Sequence, residues 1–547
     1  MKNLNSKDKG RIPIIDLFAG PGGLGEGFSS ITDENGSRFF KIKLSIEKDE
    51  QAHMTLRLRS FYRQFEKEDV PEIYYSYIKE NNLKKQAELL EQLKTEYKDE
   101  WSIAEDEAWR YELPYPVELD KKGNKKGGYT DDEIKEKNKE IDERICNALH
   151  DEKEFLLIGG PPCQAFSLVG RARNQGISDD DHRVHLYREY LRIIARHHPA
   201  VFVMENVKGL LSAKIGEHKV FDEIKKDLKN PGIVFPDYNS PLYKVFSLVK
   251  PPDEFDSDGF PIYYNDTDYL IKSEKYGIPQ RRHRVILIGI REDLEVQKPE
   301  YLYQSEEIKL KSVIGKLPAL RSGIGREIIS ENEKGNHTYS KIQNNQTNWE
   351  DAIILSREKL NYLFRERDKT NDIKFPTSQG KNFLSCNLDE SSNPLYSNWY
   401  CDSRLKGVIN HETRTHLKED LMRYLFSALY LNKYGDFPKL RDYPEWLLPM
   451  HKNAKGGKFA DRFRTQRPDE PATTVTSHIS KDGHYFIHYD PIQCRSLTVR
   501  EAARIQTFPD NYYFCGARTA QYHQVGNAVP PYLAKQIGEI VFEIFKR

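Results

Sequence analysis

The sequence predicts an α/β fold built on a mostly parallel sheet, and three stretches carry that prediction. Residues 12–18 form an apolar, strand-like run, and Ala19-Gly-Pro-Gly-Gly-Leu-Gly-Glu-Gly27 follows at once. Gly20, Gly22 and Gly25 fit the spacing G-x-G-x-x-G, a turn whose small residues let a ligand approach the backbone where a helix begins. Residues 155–158 are a second short apolar run, ended by Gly159-Gly160 and then by Pro161-Pro162-Cys163. Residues 199–204 are a third, ended by Glu205-Asn206. Buried strands of parallel sheets read as continuous apolar runs of this kind. An open α/β sheet binds ligands at the carboxyl ends of its strands, so the residues just past each run are the first candidates for function.

At 547 residues the chain exceeds one ordinary domain, and two or three are expected. Lysine plus arginine balance aspartate plus glutamate at 84 each, so global charge names no partner, and a nucleic-acid surface would have to be a local cluster. The chain is 31% charged and contains no apolar run of about 18 residues, which excludes a membrane-spanning helix. The first ten residues are polar throughout and do not read as a signal peptide. Six cysteines, at positions 146, 163, 386, 401, 494 and 515, form no Cys-x-x-Cys pair. That pattern argues against zinc and against a disulfide framework, and points to a reducing cytoplasm.

Residues 41–46 form another strand, closed by Glu47. An acid about twenty positions after such glycines commonly accepts hydrogen bonds from ribose hydroxyls. The opening stretch therefore proposes a nucleoside-containing cofactor, without choosing between a nicotinamide dinucleotide and S-adenosylmethionine. Residues 51–150 change character. Within them, 80–97 set leucines at helical spacing among charges, a solvated amphipathic helix, and 121–128 read as a flexible basic loop. The whole stretch is expected to be a surface insertion between strands.

Cys163 follows two prolines that stiffen the backbone at a strand's carboxyl edge, a placement that suits a nucleophile. A buried structural cysteine is the commoner fate of a free thiol. Residues 170–181 are a polar, glycine-bearing loop with Arg171 and Arg173 able to meet phosphates. Residues 185–195 read as a helix with Leu186, Tyr190, Ile193 and Ile194 on its apolar side. Arg282 and Arg284, just before the strand at 285–289, share one face of an extended segment, and cations beside a thiol favour its thiolate. An exposed strand edge would show the same pattern.

From 320 to about 489 hydrophobic periodicity thins, apart from a helical piece at 417–430. Lys452, Lys455, Lys458, Arg462, Arg464 and Arg467 cluster with only Asp461 in opposition and with Phe459 and Phe463 interleaved, a local basic patch suited to phosphate. Residues 495–510 hold a capped helix with Thr498 at its N-cap and Glu501 three residues on. Gln524-Val-Gly-Asn-Ala-Val-Pro-Pro531 and a final amphipathic helix close the chain.

In this order the blocks resemble the cytosine-5 DNA methyltransferases of bacterial restriction–modification systems. The matching stretches are Asp16-Leu-Phe-Ala-Gly-Pro-Gly-Gly23, Gly160-Pro-Pro-Cys-Gln-Ala-Phe-Ser167, Glu205-Asn-Val207, Gln280-Arg-Arg-His-Arg284, residues 495–510 and residues 524–530. The resemblance implies a Rossmann-like, S-adenosylmethionine-dependent catalytic domain at 1–319, with 51–150 as a helical, charged insertion. It adds a smaller target-recognition domain at 320–489 and a return to the catalytic domain at 490–547. Cys163 would be the nucleophile, Glu205 would grip the cytosine edge, and Arg282 and Arg284 would support the thiolate and the base. Phe18, Ala19, Gly20, Gly22, Gly23, Glu47, Pro162, Leu186, Asn527 and Ala528 would line the cofactor site, and no metal is called for. Gln164, Ser167, Arg171, Arg173, Lys458, Arg462 and Arg464 would meet DNA, and the loop at 166–181 would close over a flipped base. The acid for the adenine amine should precede Cys163, with Glu118 and Asp120 as guesses. Ala528 stands where some members carry serine, which removes one possible hydroxyl contact to the cofactor. The expected partner is double-stranded DNA at the nucleoid, with a cognate endonuclease in the same system, no stable complex with it, and a monomer sufficient for a short site.

Three other readings use part of this pattern. An RNA-directed cytosine-5 methyltransferase would need the same fold and thiol, although the size of the 320–489 segment favours a duplex-DNA reader. A nicotinamide-dependent oxidoreductase explains the glycines and Glu47 but leaves Pro-Pro-Cys and Glu205-Asn206 without a task. A non-catalytic DNA-binding relative would have lost the thiol or the glutamate, and both are present.

Overall fold

Large apolar residues in alternation build the central sheet, and the computed structural model describes residues 10–120, 123–150, 152–162, 182–215, 217–295, 298–331, 337–364, 374–388, 392–449 and 461–546. Strand β1 (Ile12–Leu17) leads into helix α1 (Gly23–Ser29), and β2 (Phe40–Glu47) into α2 (Glu50–Arg63). Helices α3 (Glu72–Lys79), α4 (Leu83–Glu96) and α5 (Lys98–Glu107) precede β3 (Ala108–Arg110) and α6 (Asp131–Leu149). Then come β4 (Leu156–Gly159), α7 (His182–His197), β5 (Val201–Val207) and α8 (Val220–Lys229). Strands β6 (Tyr243–Ser247), β7 (Leu270–Lys272) and β8 (His283–Arg291) complete the layer.

These eight strands form one sheet in the order β6-β8-β5-β4-β1-β2-β3, with β7 paired to the first part of β8. Strands β5, β4, β1, β2 and β3 are mutually parallel. β8 alone reverses, running antiparallel between β5 and β6. Side chains alternate between the two faces. Ile15, Leu17, Leu157, Phe202 and Met204 pack with α6, α7 and α8 on one side. Ile14, Leu156, Ile158, Val201 and Val203 pack on the other with α1 and the last helix, α13 (Pro531–Phe545). From β1 the chain goes outward to β2 and β3, then returns to β4 on β1's opposite side. The reversal of direction between β1 and β4 is the topological switch point of such a sheet.

The second half holds β9 (Gly323–Glu331), β10 (His337–Lys341), α9 (Gln346–Phe364), β11 (Gly380–Ser385), β12 (Gly407–Glu412), β13 (Thr415–Leu417) and α10 (Lys418–Tyr434). Helices α9 and α10 share a core that includes Trp349, Ile353, Tyr424 and Leu425. Helix α11 (Val499–Ile505) starts at the Thr498–Glu501 capping box, as its sequence requires, and α12 (Arg518–Asn527) follows. Around α11, fully buried arginines are satisfied internally. Arg495 pairs with Glu501 at 2.7 Å, Arg504 pairs with Asp510 at 2.8 Å, and Arg500 donates to the Ile409, Pro509 and Tyr512 carbonyls.

The stretch 51–150 differs from a surface insertion in two respects. β3 is a strand of the central sheet, and α2 to α5 join a buried core with Leu405, Ile409 and Tyr513 from far along the chain. The physical reason is the tyrosine-rich face of α3: Tyr74, Tyr75, Tyr77 and Ile78 are all buried. α4 is the solvated helix its charges predict, with Leu93 as its buried apolar anchor. Of the basic stretch expected to be a loop, Lys125–Gly127 pairs with Glu118–Leu119 as a small hairpin. Among the described residues no helix is long and apolar enough to cross a membrane.

Candidate active site

All five parallel strands finish at one edge, which brings together residues that the sequence keeps up to about two hundred positions apart. β1 gives way to Phe18, which adopts the left-handed backbone region at φ 57°, a sparsely populated conformation for a bulky residue. Gly20 and Gly22 also have positive φ, at 58° and 94°. Glu47, at the end of β2, braces this turn: one carboxylate oxygen accepts the Gly20 N–H at 2.8 Å and the other the Asp49 N–H at 2.6 Å. Burial pushes the Glu47 carboxyl up, and those two N–H groups pull it back. A Cβ added at Gly20 would meet nothing within 4 Å, so the turn opens onto free space.

The turn is held from behind. Tyr512 donates to the Pro21 carbonyl, and a Cβ at Gly23 would collide with the Val529 carbonyl and come within 3.3 Å of the Ala528 methyl. Residues 528–529 therefore lie directly against the glycine turn, with Ala528 buried and its neighbour Asn527 exposed. Leu186 of α7 is buried in the same core against which Phe18 packs. Beneath the turn, Asp16 is fully enclosed and neither of its oxygens has a hydrogen-bond partner among the described residues. Burial, with Glu47 and Glu107 nearby and only Arg63 in opposition, pushes its carboxyl up to about 8.

Across the switch point, β4 ends in Gly159 and runs through Gly160 to Pro161-Pro162. Glu205, at the end of β5, stands over this turn: a Cβ at Gly160 would lie 3.1 Å from Glu205 Oε2. Because β8 is reversed, its first residues arrive at the same edge, and Arg284 Nε lies 2.8 Å from Glu205 Oε1. Both side chains are mostly buried, which strengthens the pairing. Arg282 is placed differently. Its guanidinium is buried and donates to the Val475 carbonyl at 2.7 Å and to the Gly526 carbonyl at 3.4 Å. Burial and the neighbouring Arg284 push it below its ordinary pKa, with Glu205 pulling the other way. Arg282 thus ties the 475–477 segment to α12, while Arg284 orients the glutamate.

The other expected site residues are distributed as follows. Cys163, Gln164, Ser167, Arg171, Arg173 and Lys458, with the closing loop at 166–181, lie outside the described residues. The described arginines of the basic patch have acidic neighbours: Arg464 pairs with Asp461 and Arg467 with Glu470, both close in sequence, while Asp482 near Arg462 and Asp436 beside Arg467 come from other parts of the chain. Glu118 pairs with Lys126 at 2.7 Å, and Asp120 accepts the Asn124 backbone N–H, both out on the hairpin. The acid that follows β3 most closely is Glu112, which the sequence reading did not name. It lies 3.2 Å from Lys48, the neighbour of Glu47, and accepts the Tyr129 hydroxyl at 2.9 Å. The signal that could have found it was the short strand 108–110 immediately before it.

A crevice of this kind belongs to a Rossmann-like α/β enzyme built to take a nucleoside-bearing ligand at its switch point. The sequence also matches a described family, the C-5 cytosine-specific DNA methylases, over residues 111–241 and 251–543. The type II methyltransferase M.Bpa9945I of Bacillus paralicheniformis is 33% identical over 542 residues, covering 97% of this chain and 98% of that protein. The type II methyltransferase M.DdeI of Desulfomicrobium norvegicum is 27% identical over 405 residues, 71% of this chain and 73% of that protein. The solved structure of the Entamoeba histolytica methyltransferase EhMeth aligns with 98% of this chain and 99% of its own, at 13% identity and a TM-score of 0.42. The chain belongs to the C-5 cytosine-specific DNA methylase family. Membership removes the nicotinamide-dependent reading.

Proposed function

We propose that this enzyme methylates carbon 5 of a cytosine flipped out of a specific duplex DNA site, with Cys163 as nucleophile and S-adenosylmethionine as donor. The observation that supports it most is the meeting, at one sheet edge, of the Glu205–Arg284 pair, the Pro-Pro turn that leads to Cys163, and the glycine turn braced by Glu47. Carbon 5 of cytosine is a poor nucleophile. Addition of the Cys163 sulfur to carbon 6 forms an S–C bond and moves the ring's double-bond electrons so that carbon 5 can attack. Glu205 supplies the carboxyl that hydrogen-bonds N3 and the exocyclic amine, holding the proton that offsets charge on the ring. Arg284 fixes the orientation of that carboxyl, and Arg282 holds the 475–477 segment alongside. Flipping the base costs about a few kcal/mol of unstacking, which contacts to the displaced base must offset.

The residues at the glycine turn fit the proposed donor. Gly20 leaves open space where a side chain would stand, and Glu47 is pinned by two N–H groups with lone pairs left for ribose hydroxyls. Phe18, Ala19, Gly22, Gly23, Pro162, Leu186, Asn527 and Ala528 complete this lining in the proposal, and Glu112, directly after β3, is assigned to the adenine amine in preference to Glu118 or Asp120 on the hairpin. When bound, S-adenosylmethionine supplies the electrophilic methyl group. The relatives' names support a role as the modification enzyme of a type II restriction–modification system. In this reading it acts as a monomer on duplex DNA and forms no stable complex with an endonuclease. In the proposed division of the chain, 1–319 is catalytic, 320–489 reads the target and 490–547 returns to the catalytic domain.

The test is to sequence methylated cytosines in DNA from cells expressing the protein. One recurrent sequence context carrying 5-methylcytosine, absent with Cys163→Ser, is the expected result. DNA free of 5-methylcytosine would overturn the reading.

A further inference from the structure

The inserted helices do more than fill space between β2 and β3. Their outer face is sewn to residues 382–405, which lie some three hundred positions later. Asn81 pairs with both backbone groups of Phe383: its amide donates to the Phe383 carbonyl at 3.2 Å, and its oxygen accepts the Phe383 N–H at 2.9 Å. Among the described residues β11 is joined by ladder to β12 alone, so Asn81 serves the other edge of that strand as a neighbouring strand would. Asn382 returns the contact by donating to the Ile78 and Glu80 carbonyls at 3.1 and 2.8 Å. Lys79 donates to the Arg404 carbonyl at 2.7 Å, and the Arg404 guanidinium stacks 4.3 Å from the Tyr75 ring.

Asp402 sits where this seam meets the cofactor side of the molecule. One oxygen of its buried carboxylate accepts the Tyr75 hydroxyl and the Asn511 amide, each at 2.7 Å. Asn511 in turn accepts from Arg59 at 3.0 Å, and Arg59 is bound by two N–H groups to Glu26 of α1, the helix that follows the glycine turn. A continuous buried chain, Tyr75–Asp402–Asn511–Arg59–Glu26, therefore connects the inserted helices, the second half of the chain and the cofactor helix.

We propose that α3 and the turn into α4 are a strut that holds the paired strands β11 and β12 in their DNA-competent position, with Tyr75 and Asn81 as positioning residues. This rests on duplex DNA being the substrate. A strand pair free to leave that position is competent only part of the time, and the apparent affinity for DNA falls by that fraction. Chemistry at saturating DNA and binding of the cofactor, both made at the sheet edge, are left as they were.

Tyr75→Phe keeps the ring and its packing, and Asn81→Ala changes an exposed side chain, so both variants keep the fold. The assay is labelled-methyl incorporation into plasmid DNA from a host without cytosine methylation, with S-adenosylhomocysteine binding measured by calorimetry. Each variant is expected to raise the KM for plasmid about five-fold, with kcat within about two-fold of wild type and an unchanged Kd for S-adenosylhomocysteine. Hydrogen exchange across 380–412 should quicken in both. Lys135→Ala, on the exposed face of α6, serves as the unchanged control. An unaltered KM in both variants, or a loss confined to kcat or to cofactor binding, overturns the strut. If wild-type enzyme transfers no label to the plasmid, the substrate reading itself fails, and the strut with it.

Discussion

The carboxyl edge of the sheet and the seam around Asp402 are both polar and largely buried, yet they are assembled in opposite ways. At the edge each strand delivers one group immediately past its last apolar residue: Phe18 to Gly20 after β1, Glu47 at β2, Pro161-Pro162 after β4, Glu205 near the end of β5. Their polar capacity is left partly open, as with the space over Gly20. In the seam every group is closed by a partner from a distant part of the chain, as Tyr75, Asp402 and Asn511 are. Open polar capacity marks where a substrate completes the structure; closed capacity marks where the structure completes itself.

Substitutions at the edge should therefore remove catalysis while leaving the fold, and a substitution that breaks a fully buried ion pair among the closed groups should remove stability first. The largest effect is expected from Cys163→Ser, which should lower methyl transfer at least about a thousandfold while S-adenosylhomocysteine still binds by calorimetry. Next comes Glu205→Gln, which keeps the side chain's size but not its acid. It should lower kcat about a hundredfold or more with cofactor affinity intact, and an unchanged kcat would remove Glu205 from the chemistry.

On the closed side, Arg495→Ala strands Glu501, whose carboxyl is held well below the usual range because Arg495 and His488 outweigh its burial. The expected cost is about 3–5 kcal/mol, read as a fall in chemical-denaturation midpoint. A loss of activity without loss of stability would break the distinction between the two regions.

In pH dependence the two regions pull in opposite directions. His411, enclosed between Thr498 and the Pro318 carbonyl, is pushed down to about 4 by burial, with Arg495 adding to the shift and Glu501 opposing it. Below its ordinary value the unfolded chain takes up a proton that the folded one refuses, so stability is lost as pH falls from about 6.5 toward 4. At pH 5 the loss is about 2 kcal/mol, and His411→Gln should flatten that slope in denaturation curves. Asp16 behaves oppositely. Its carboxyl holds a proton in the folded state up to about pH 8, so the stability tied to that proton is lost as pH climbs from about 4 to 8. Asp16→Asn should gain on wild type between pH 6 and 8; equal slopes would mean that Asp16 is charged throughout.

Much of the edge was legible in the linear chain. Strand, glycine turn and acid follow each other within forty residues, because a parallel strand must stop where its apolar run stops and whatever comes next faces the crevice. The β5 glutamate could be read in the same way. The acid after β3, Glu112, did not stand out, since β3 is three residues long and is preceded by helices that hide the strand pattern. The described part of the basic patch, 461–467, is paired in ways the linear chain only half shows: Glu470 stands three residues after Arg467, whereas Asp436 and Asp482 arrive from other turns of the chain. The inserted stretch read as solvated because α4 is, although the tyrosines of α3 are buried.

The sequence alone determined the elements, their apolar faces and the residue at each strand's end, since those follow from local periodicity and backbone chemistry. Tertiary structure alone decided that β8 would reverse and bring Arg284 onto Glu205, that Arg282 would turn to backbone carbonyls, and that Asp402 would join three parts of the chain. Each of these is a pairing of polar groups from remote positions, and such pairings are chosen by which buried donors and acceptors the packed core leaves unsatisfied.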